Sequence, residues 1–347
     1  MNMDCAREIP ARFQMVKVMK GDACMQKNEF YFDSMDHKTQ LHAVEWIPDD
    51  GPVCILQIVH GMAEYIDRYD RFAKVCQENG ILVVGHDHLG HGKSVYPTGT
   101  AVSGKGNPDH PYGYFCEKEA PDVLVEDVNT LRRLIQNKYP ETPCFILGHS
   151  MGSFILRNYL GRYGAGLAGA IVMGTGMQAK GLLTVARTLI RILKVFQGEK
   201  HKSGLINVMA FGSNNARIKN ARSAMDWLSR DAAEVAKYDA DPLCGFTFTL
   251  NGFDTLFSLI ERLHDPGLLK KVPADLPVLF VSGAEDPVGE YGKAVERVYR
   301  SFVDSGIKNA EMKLYESDRH EILNELDRDA VSKEICSWIV NLRNSSL

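Results

Sequence analysis

One stretch limits what this chain can fold into more than any other: Phe145-Ile-Leu-Gly-His-Ser-Met-Gly-Ser-Phe154. Apolar residues run up to Gly148, the turn Gly148-His149-Ser150-Met151-Gly152 follows, and helical spacing resumes at Phe154, Ile155, Tyr159 and Leu160. The pattern reads strand, sharp turn, helix, with a serine at the apex, which is the setting a G-x-S-x-G elbow requires. Such a turn forces its serine into a strained backbone conformation. Gly148 and Gly152 supply positions without a Cβ where strand and helix come close. The Ser150 hydroxyl then stands at a helix N-terminus, where amides and the dipole favour developing negative charge. Three fixed positions in five also occur in ordinary Gly-rich turns, so the rest of the chain must supply a base, an acid and two oxyanion donors.

The bulk properties set the frame. A chain of 347 residues exceeds the size at which one core keeps growing, so a large domain carrying an insertion, or two domains, is expected. Apolar residues at 45% and charged residues at 24% fit a globular protein and exclude disorder as the main state. A net charge of −4 offers no basic field for nucleic acid. The N-terminus lacks the apolar region of a signal peptide, and no stretch reaches the roughly 18 apolar residues of a membrane span. The eight cysteines are scattered singly with no C-x-x-C pair, which fits a reduced, cytoplasmic setting.

Along the chain, Phe13–Met19, Glu29–Phe32 and Leu41–Ile47 read as an antiparallel lead-in. From Val53 the style changes. Val53–Val59, Ile81–Val84, Cys144–Leu147 and Gly169–Met173 are apolar runs of strands buried on both faces. They alternate with helical patterns at Asp67–Asn79 and Pro121–Lys138, as in a parallel sheet with right-handed crossovers. The alternation lapses near Thr175 and resumes with Val278–Val281, Gly292–Phe302, Met312–Tyr315 and Ile322–Leu342. The reading is a core of residues 1–175 and 265–347, with a helical cap of residues 176–264 inserted over the carboxyl edge of the sheet, where such sheets bind ligands.

An elbow serine of this kind is followed in the chain by an acid and then a histidine. Only His201, His264 and His320 follow Ser150. His320 alone sits at the carboxyl end of an expected strand, in Glu316-Ser-Asp-Arg-His-Glu321. The acid belongs in Val278-Leu-Phe-Val-Ser-Gly-Ala-Glu-Asp-Pro-Val288, where Glu285 and Asp286 compete. Pro287 biases Asp286 toward an extended backbone and favours it. The Met151 amide follows the serine, and Met62, in Val59-His-Gly-Met62, offers the second oxyanion N–H. Two other motifs carry less. His86-Asp-His-Leu-Gly-His91 has the ligand types of a zinc site, but its flanking glycines favour a tight structural turn. Gly92-Lys93-Ser94 echoes a P-loop ending, yet Asp87 stands where that motif needs glycine.

With these pieces placed, the sequence resembles the monoacylglycerol lipase and lysophospholipase-like branch of the α/β-hydrolase superfamily, from about Glu29 to Val340. The landmarks are His60-Gly-Met-Ala-Glu-Tyr65 with Arg68-Tyr-Asp70, Asp87-His-Leu-Gly-His-Gly92 with Ser94, Gly148-His-Ser-Met-Gly152, Ser282-Gly-Ala-Glu-Asp-Pro-Val-Gly289 and Arg319-His-Glu321. Leu89 departs from the arginine usual in the second landmark. The resemblance implies an α/β-hydrolase fold: a mostly parallel central sheet, helices on both faces and a helical cap inserted after the sixth strand. It implies Ser150 as nucleophile, Asp286 as acid, His320 as base and the Met62 and Met151 amides as oxyanion hole. It also implies a carboxylic ester hydrolase acting on monoacylglycerols or lysophospholipids, with no metal or organic cofactor and no nucleic-acid partner. A proline iminopeptidase-like aminopeptidase and a non-catalytic binding protein on the same fold are the alternatives.

In Gly181–Phe196, Leu182, Leu183, Ala186, Leu189, Ile190, Leu193 and Phe196 fall on one helical face, with Arg187, Arg191 and Lys194 along one side of the rest. The expectation is a cap helix that walls the acyl pocket. A sharper reading has the same helix touch membrane surfaces, its cations drawn to anionic head groups.

Overall fold

The computed structural model describes residues 16–17, 26–100, 102, 107 and 109–345. Most of the expected first strand, Phe13–Met19, lies outside the described residues, as do Cys5 and Cys24. Val16–Lys17 (β1) is described and pairs antiparallel with Gln26–Asp33 (β2), which turns back into Gln40–Ile47 (β3). Then come Cys54–Val59 (β4), Asp70–Glu78 (α1), Ile81–His86 (β5), Ala120–Lys138 (α2), Cys144–His149 (β6), Met151–Tyr163 (α3) and Gly169–Met173 (β7). The stretch expected as the insertion, residues 176–264, holds Lys180–Gln197 (α4), Gly204–Phe211 (α5), Ala232–Ala240 (α6) and Leu250–Arg262 (α7), and the short Pro266–Leu269 (α8) follows it. Val278–Gly283 (β8), Lys293–Asp304 (α9), Ala310–Tyr315 (β9) and Arg328–Ser345 (α10) complete the chain.

The strands form one sheet in the order β1-β2-β3-β5-β4-β6-β7-β8-β9, parallel from β5 through β9. From β4 the chain moves outward to β5 and then back past β4 to β6, so the direction of winding reverses beside β4. A crevice opens at the carboxyl ends of strands where winding reverses, and there the loops after β4 and β6 meet. The run in β4 explains its own burial. Ile55 and Val59 face the core shared with α2, α3, α7 and α9, whereas Leu56 and Ile58 face that of α1 and α10. Both faces are covered, so every residue of β4 through β8 is buried and alternation is lost from the sequence.

Three expectations change in detail. The insertion follows β7, the seventh strand in chain order, where the resemblance implied the sixth. Asp67–Asn79 opens as a tight 3₁₀ turn at Ile66–Tyr69 before α1 begins. Ile322–Leu342 is not one helix: Ile322–Asn324 is a 3₁₀ turn and α10 starts at Arg328. The buried carboxylate of Glu325 causes the break, because it accepts from the backbone N–H groups of Arg319, Arg230 and Leu326 rather than pointing out of a helix.

The segment His86-Asp-His-Leu-Gly-His91 forms a buried turn after β5. Asp87 accepts from His42 Nδ1 at 2.9 Å and from the amides of Ile66 and Lys93, each at 2.8 Å. Gly92 is obligatory beside it, since a Cβ there would fall 2.2 Å from Asp87 Oδ2. His60 Nε2 accepts from the His88 amide at 3.0 Å, and His91 Nε2 accepts from the Ala63 amide at 3.2 Å. Both roles require a neutral ring. Burial, reinforced by the neighbouring His60, pushes His86 and His91 down to about 3 and His88 well below its usual range; burial likewise lowers His60.

A histidine depressed on folding contributes its stability above its unfolded pKa of about 6.5 and loses it as pH falls toward the folded value. Among the described residues both ring nitrogens of His86 lack a hydrogen-bond partner, so this residue isolates the effect. For His86 the loss at pH 5 is about 2 kcal/mol. Denaturant unfolding at pH 7 and pH 5 should therefore show a steeper decline in the parent than in His86→Phe. Equal declines would contradict this account of the acid sensitivity.

Candidate active site

Ser150 joins β6 to α3 at φ 53°, ψ −119°. Its amide donates to Met173 O at 3.0 Å, and its carbonyl accepts from the Ser153 amide at 2.8 Å. The two elbow glycines are sterically required. A Cβ on Gly152 would lie 1.9 Å from Val59 O, and one on Gly148 would lie 2.4 Å from Gly152 O.

The other two candidates reach the same edge of the sheet from the loops after β8 and β9. Asp286 Oδ2 lies 2.9 Å from His320 Nδ1, and both residues are buried. Asp286 Oδ1 accepts from the Val288 amide at 2.8 Å, and its carbonyl accepts from the Tyr291 amide at 2.8 Å, which fixes the loop. His320 is also held through its ring. The His149 ring centroid lies 4.8 Å away and that of Trp227 lies 5.0 Å away, each tilted by 42°.

Ser150, His320, Met62 and Met151 line one cavity of about 320 Å³. Among the described residues neither the Met62 nor the Met151 N–H donates to a protein acceptor. The loop carrying Met62 is braced by Glu64, whose carboxylate accepts from the Gly61 amide at 2.6 Å, Tyr69 Oη at 3.1 Å and Arg68 Nη1 at 2.8 Å. Glu64 also meets His149 Nδ1 at 3.1 Å. Arg68 continues to Glu321 through two bonds of 2.7 and 2.8 Å. Burial opposes the charge on Glu64, but His149 and Arg68 outweigh it and hold the carboxyl well below its usual range. Burial likewise opposes a charged His149, and Glu64 overcomes it, so His149 is raised.

The insertion also reaches this edge. His320 N–H donates to Trp227 O at 3.4 Å, Glu321 N–H to Leu228 O at 2.8 Å, and Arg319 Nη1 to the carbonyls of Asp226 and Ser229. On the other side, Tyr238 Oη and the Gly245 amide both donate to Ala63 O at 3.0 Å. Glu64, Arg68 and Glu321 lie within the sequence landmarks and Trp227 within the expected cap, and none of the four carries a role assigned from sequence. The four-residue spacing of Glu64 and Arg68 was the available signal.

The cap residues expected at the pocket are not there. The apolar wall is formed by Val208 and Phe211 of α5, by Met225, Trp227, Leu228 and Phe246, and by Leu256 of α7; no residue of α4 lines the cavity. Helix α4 lies instead against α7. Leu183 and Ile190 are buried in that contact, Leu189 and Leu193 are partly buried there, Ala186 is half-buried and Leu182 is exposed. Charge fixes this seating. Arg187 pairs with Asp254 at 2.9 Å and with Glu261, and Lys194 pairs with Asp254 at 2.9 Å. The basic face therefore points at α7 in two of its three members, and Arg191 is exposed.

Residues 51–327 match the family model described as Hydrolase_4, serine aminopeptidase, S33. The chain is 28% identical over 300 residues to a monoacylglycerol lipase of Mycolicibacterium smegmatis, covering 85% of this chain and 91% of that one. It is 26% identical over 298 residues to a monoglyceride lipase of Rattus norvegicus, covering 85% and 84%. A thermostable carboxyl esterase from Bacillus coagulans, solved with glycerol, superposes with a TM-score of 0.82 at 31% identity, covering 92% of this chain and all of that one.

Proposed function

Because the chain belongs to the Hydrolase_4 (serine aminopeptidase, S33) family, we propose that it is a carboxylic ester hydrolase acting on monoacylglycerols or lysophospholipids through Ser150, His320 and Asp286. The observation that carries this reading is the apolar cavity shared by Ser150, His320 and the side chains of Phe211, Leu228, Phe246 and Leu256. Such a wall suits an acyl chain beside a nucleophile.

His320 Nε2 accepts the Ser150 proton as Oγ attacks the acyl carbon. Asp286, on Nδ1, holds the tautomer that leaves Nε2 free and stabilises the imidazolium without taking the proton. The Met62 and Met151 amides receive the oxyanion. Collapse expels the alcohol, which takes its proton from His320, and a water activated by the same ring then hydrolyses the acyl-enzyme.

The aminopeptidase alternative needs a carboxylate free to meet a substrate amine. The two carboxylates that line the cavity, Glu64 and Glu321, both bind Arg68. The acids of the insertion are engaged elsewhere or lie outside: Glu199 with Tyr114, Asp226 with the Arg222 amide, Asp231 with Arg328, Glu234 with Arg71, Asp241 with Tyr65, Asp254 and Glu261 with Arg187, and Asp239 in solvent. Ester chemistry on an apolar acyl group fits this lining better. Ser150→Ala is expected to lower kcat on monoacylglycerols by about 10⁶-fold. A folded variant that kept a tenth of the parent activity would contradict the assignment, and faster turnover of a proline anilide than of a short p-nitrophenyl ester would favour the aminopeptidase.

The membrane reading finds support from Leu182 and Phe196 of the expected face and from apolar residues outside it. Leu182, Val185, Ile192, Val195 and Phe196 of α4 and Leu205, Val208 and Met209 of α5 are exposed, and Val208 also lines the cavity. Among the described residues no helix is long and apolar enough to cross a membrane, so contact would be at the surface. Replacing Val195 and Phe196 together with Glu should reduce co-sedimentation with anionic phospholipid vesicles. An unchanged bound fraction would remove the membrane contact.

A further inference from the structure

Arg157, on α3 seven residues after Ser150, is 5% exposed and forms no ion pair with any carboxylate among the described residues. Its Nη1 donates to Gly176 O at 3.0 Å and to Thr175 Oγ1 at 3.4 Å, Nη2 meets Met177 Sδ at 3.7 Å, and Nε has no partner among the described residues. Burial lowers the guanidinium to about 9, with no neighbouring charge to offset it. A buried unpaired cation is among the costliest groups a fold can hold, and an apolar side chain of equal length would be the more stable choice. Fold stability therefore does not explain why the charge is there.

The hydrogen bonds around it have a direction. Ser153 Oγ lies 2.6 Å from Ser150 O and 2.9 Å from Thr175 Oγ1, with Ser153 and Thr175 both fully buried. A carbonyl only accepts, so the Ser153 hydroxyl donates to Ser150 O. The Thr175 hydroxyl then donates to Ser153 Oγ and accepts from the guanidinium. The result is a chain of donors, Arg157 to Thr175 to Ser153 to the Ser150 carbonyl, polarised in one direction by a full charge at its far end. It ends on the one strained residue of the elbow. We propose that Arg157 is a positioning residue for the nucleophile, acting through the Thr175 and Ser153 hydroxyls on the Ser150 carbonyl. It holds the strained conformation that aims Oγ at the acyl carbon and the Met151 amide at the oxyanion. The same guanidinium grips Gly176 O, so the loop after β7 and the elbow are fixed together.

The proposal rests on Ser150 being the nucleophile, which Ser150→Ala tests separately. If that variant remains active, the function reading fails. If it is inactive while the variants below turn over like the parent, only the positioning role fails. Arg157→Met and Thr175→Val are compared with the parent by thermal melting and by kcat and KM on p-nitrophenyl butyrate. Arg157→Met should melt at or above the parent temperature while kcat falls about 10-fold to 100-fold at nearly constant KM, as small misplacements of a reacting group do. Arg157→Lys should recover part of kcat. Thr175→Val, nearly isosteric, should lose kcat similarly, and the double variant should lose no more than either single one, since both interrupt one chain. Unchanged kcat in Thr175→Val, multiplying losses in the double variant, or a kcat loss that merely tracks a fall in melting temperature would overturn the role.

Discussion

The backbone of Ser150, at φ 53°, ψ −119°, is the constraint on which the rest of the architecture depends. A non-glycine residue held there costs roughly 1–3 kcal/mol and persists only where its surroundings over-determine it. Three strands provide that. Strand β7 takes the Ser150 amide on Met173 O, β6 delivers the turn, and β4 presses Val59 O into the space where a Gly152 side chain would be. The parallel order β4-β6-β7 thus serves to hold one residue in an unfavourable shape, and the wide burial of the sheet makes that shape rigid.

The remaining groups arrive on separate loops and are coupled by buried charge. Glu64, Arg68 and Glu321 link the loop after β4 to the loop after β9, and His149 joins them to the elbow. Desolvating such ions costs several kcal/mol each and is recovered only if every lone pair and proton finds a partner. Here Glu64 accepts from Gly61, Arg68 and Tyr69, and Arg68 engages Glu321 with two nitrogens. The insertion divides in two on the same grounds. Its stretch from Asp226 to Gly245 is bonded through backbone groups to Ala63 on one side and to Arg319, His320 and Glu321 on the other. Its earlier part, α4 and α5, carries the exposed apolar residues and fewer such ties.

The elbow and the strands flanking it were legible in the sequence because steric necessity leaves few alternatives. Only glycine fits at 148 and 152, and only apolar residues fit a strand covered on both faces. Proximity of Asp286 and His320 could be anticipated from loop order, since both follow strands that end at one edge. What was not legible depends on contacts between segments far apart in the chain. The apolar period of α4 looks the same whether it faces a pocket or another helix. Asp254 and Glu261 decide the matter, and they lie more than sixty residues further on. The break before α10 is of the same kind. Glu325 leaves the helical pattern for Arg230 and for two distant amides, a choice that no local propensity reveals.

The central claim is that Ser150 is activated by His320 under the hold of Asp286. Labelling with a fluorophosphonate, followed by peptide mass spectrometry and timed in the parent, His320→Ala and Asp286→Asn, tests it most directly. The account predicts a phosphonyl adduct on the peptide containing Ser150, formed at least about 10³-fold more slowly in either variant when both remain folded. An adduct on another residue, or labelling of Ser150 at the parent rate without His320, would contradict it.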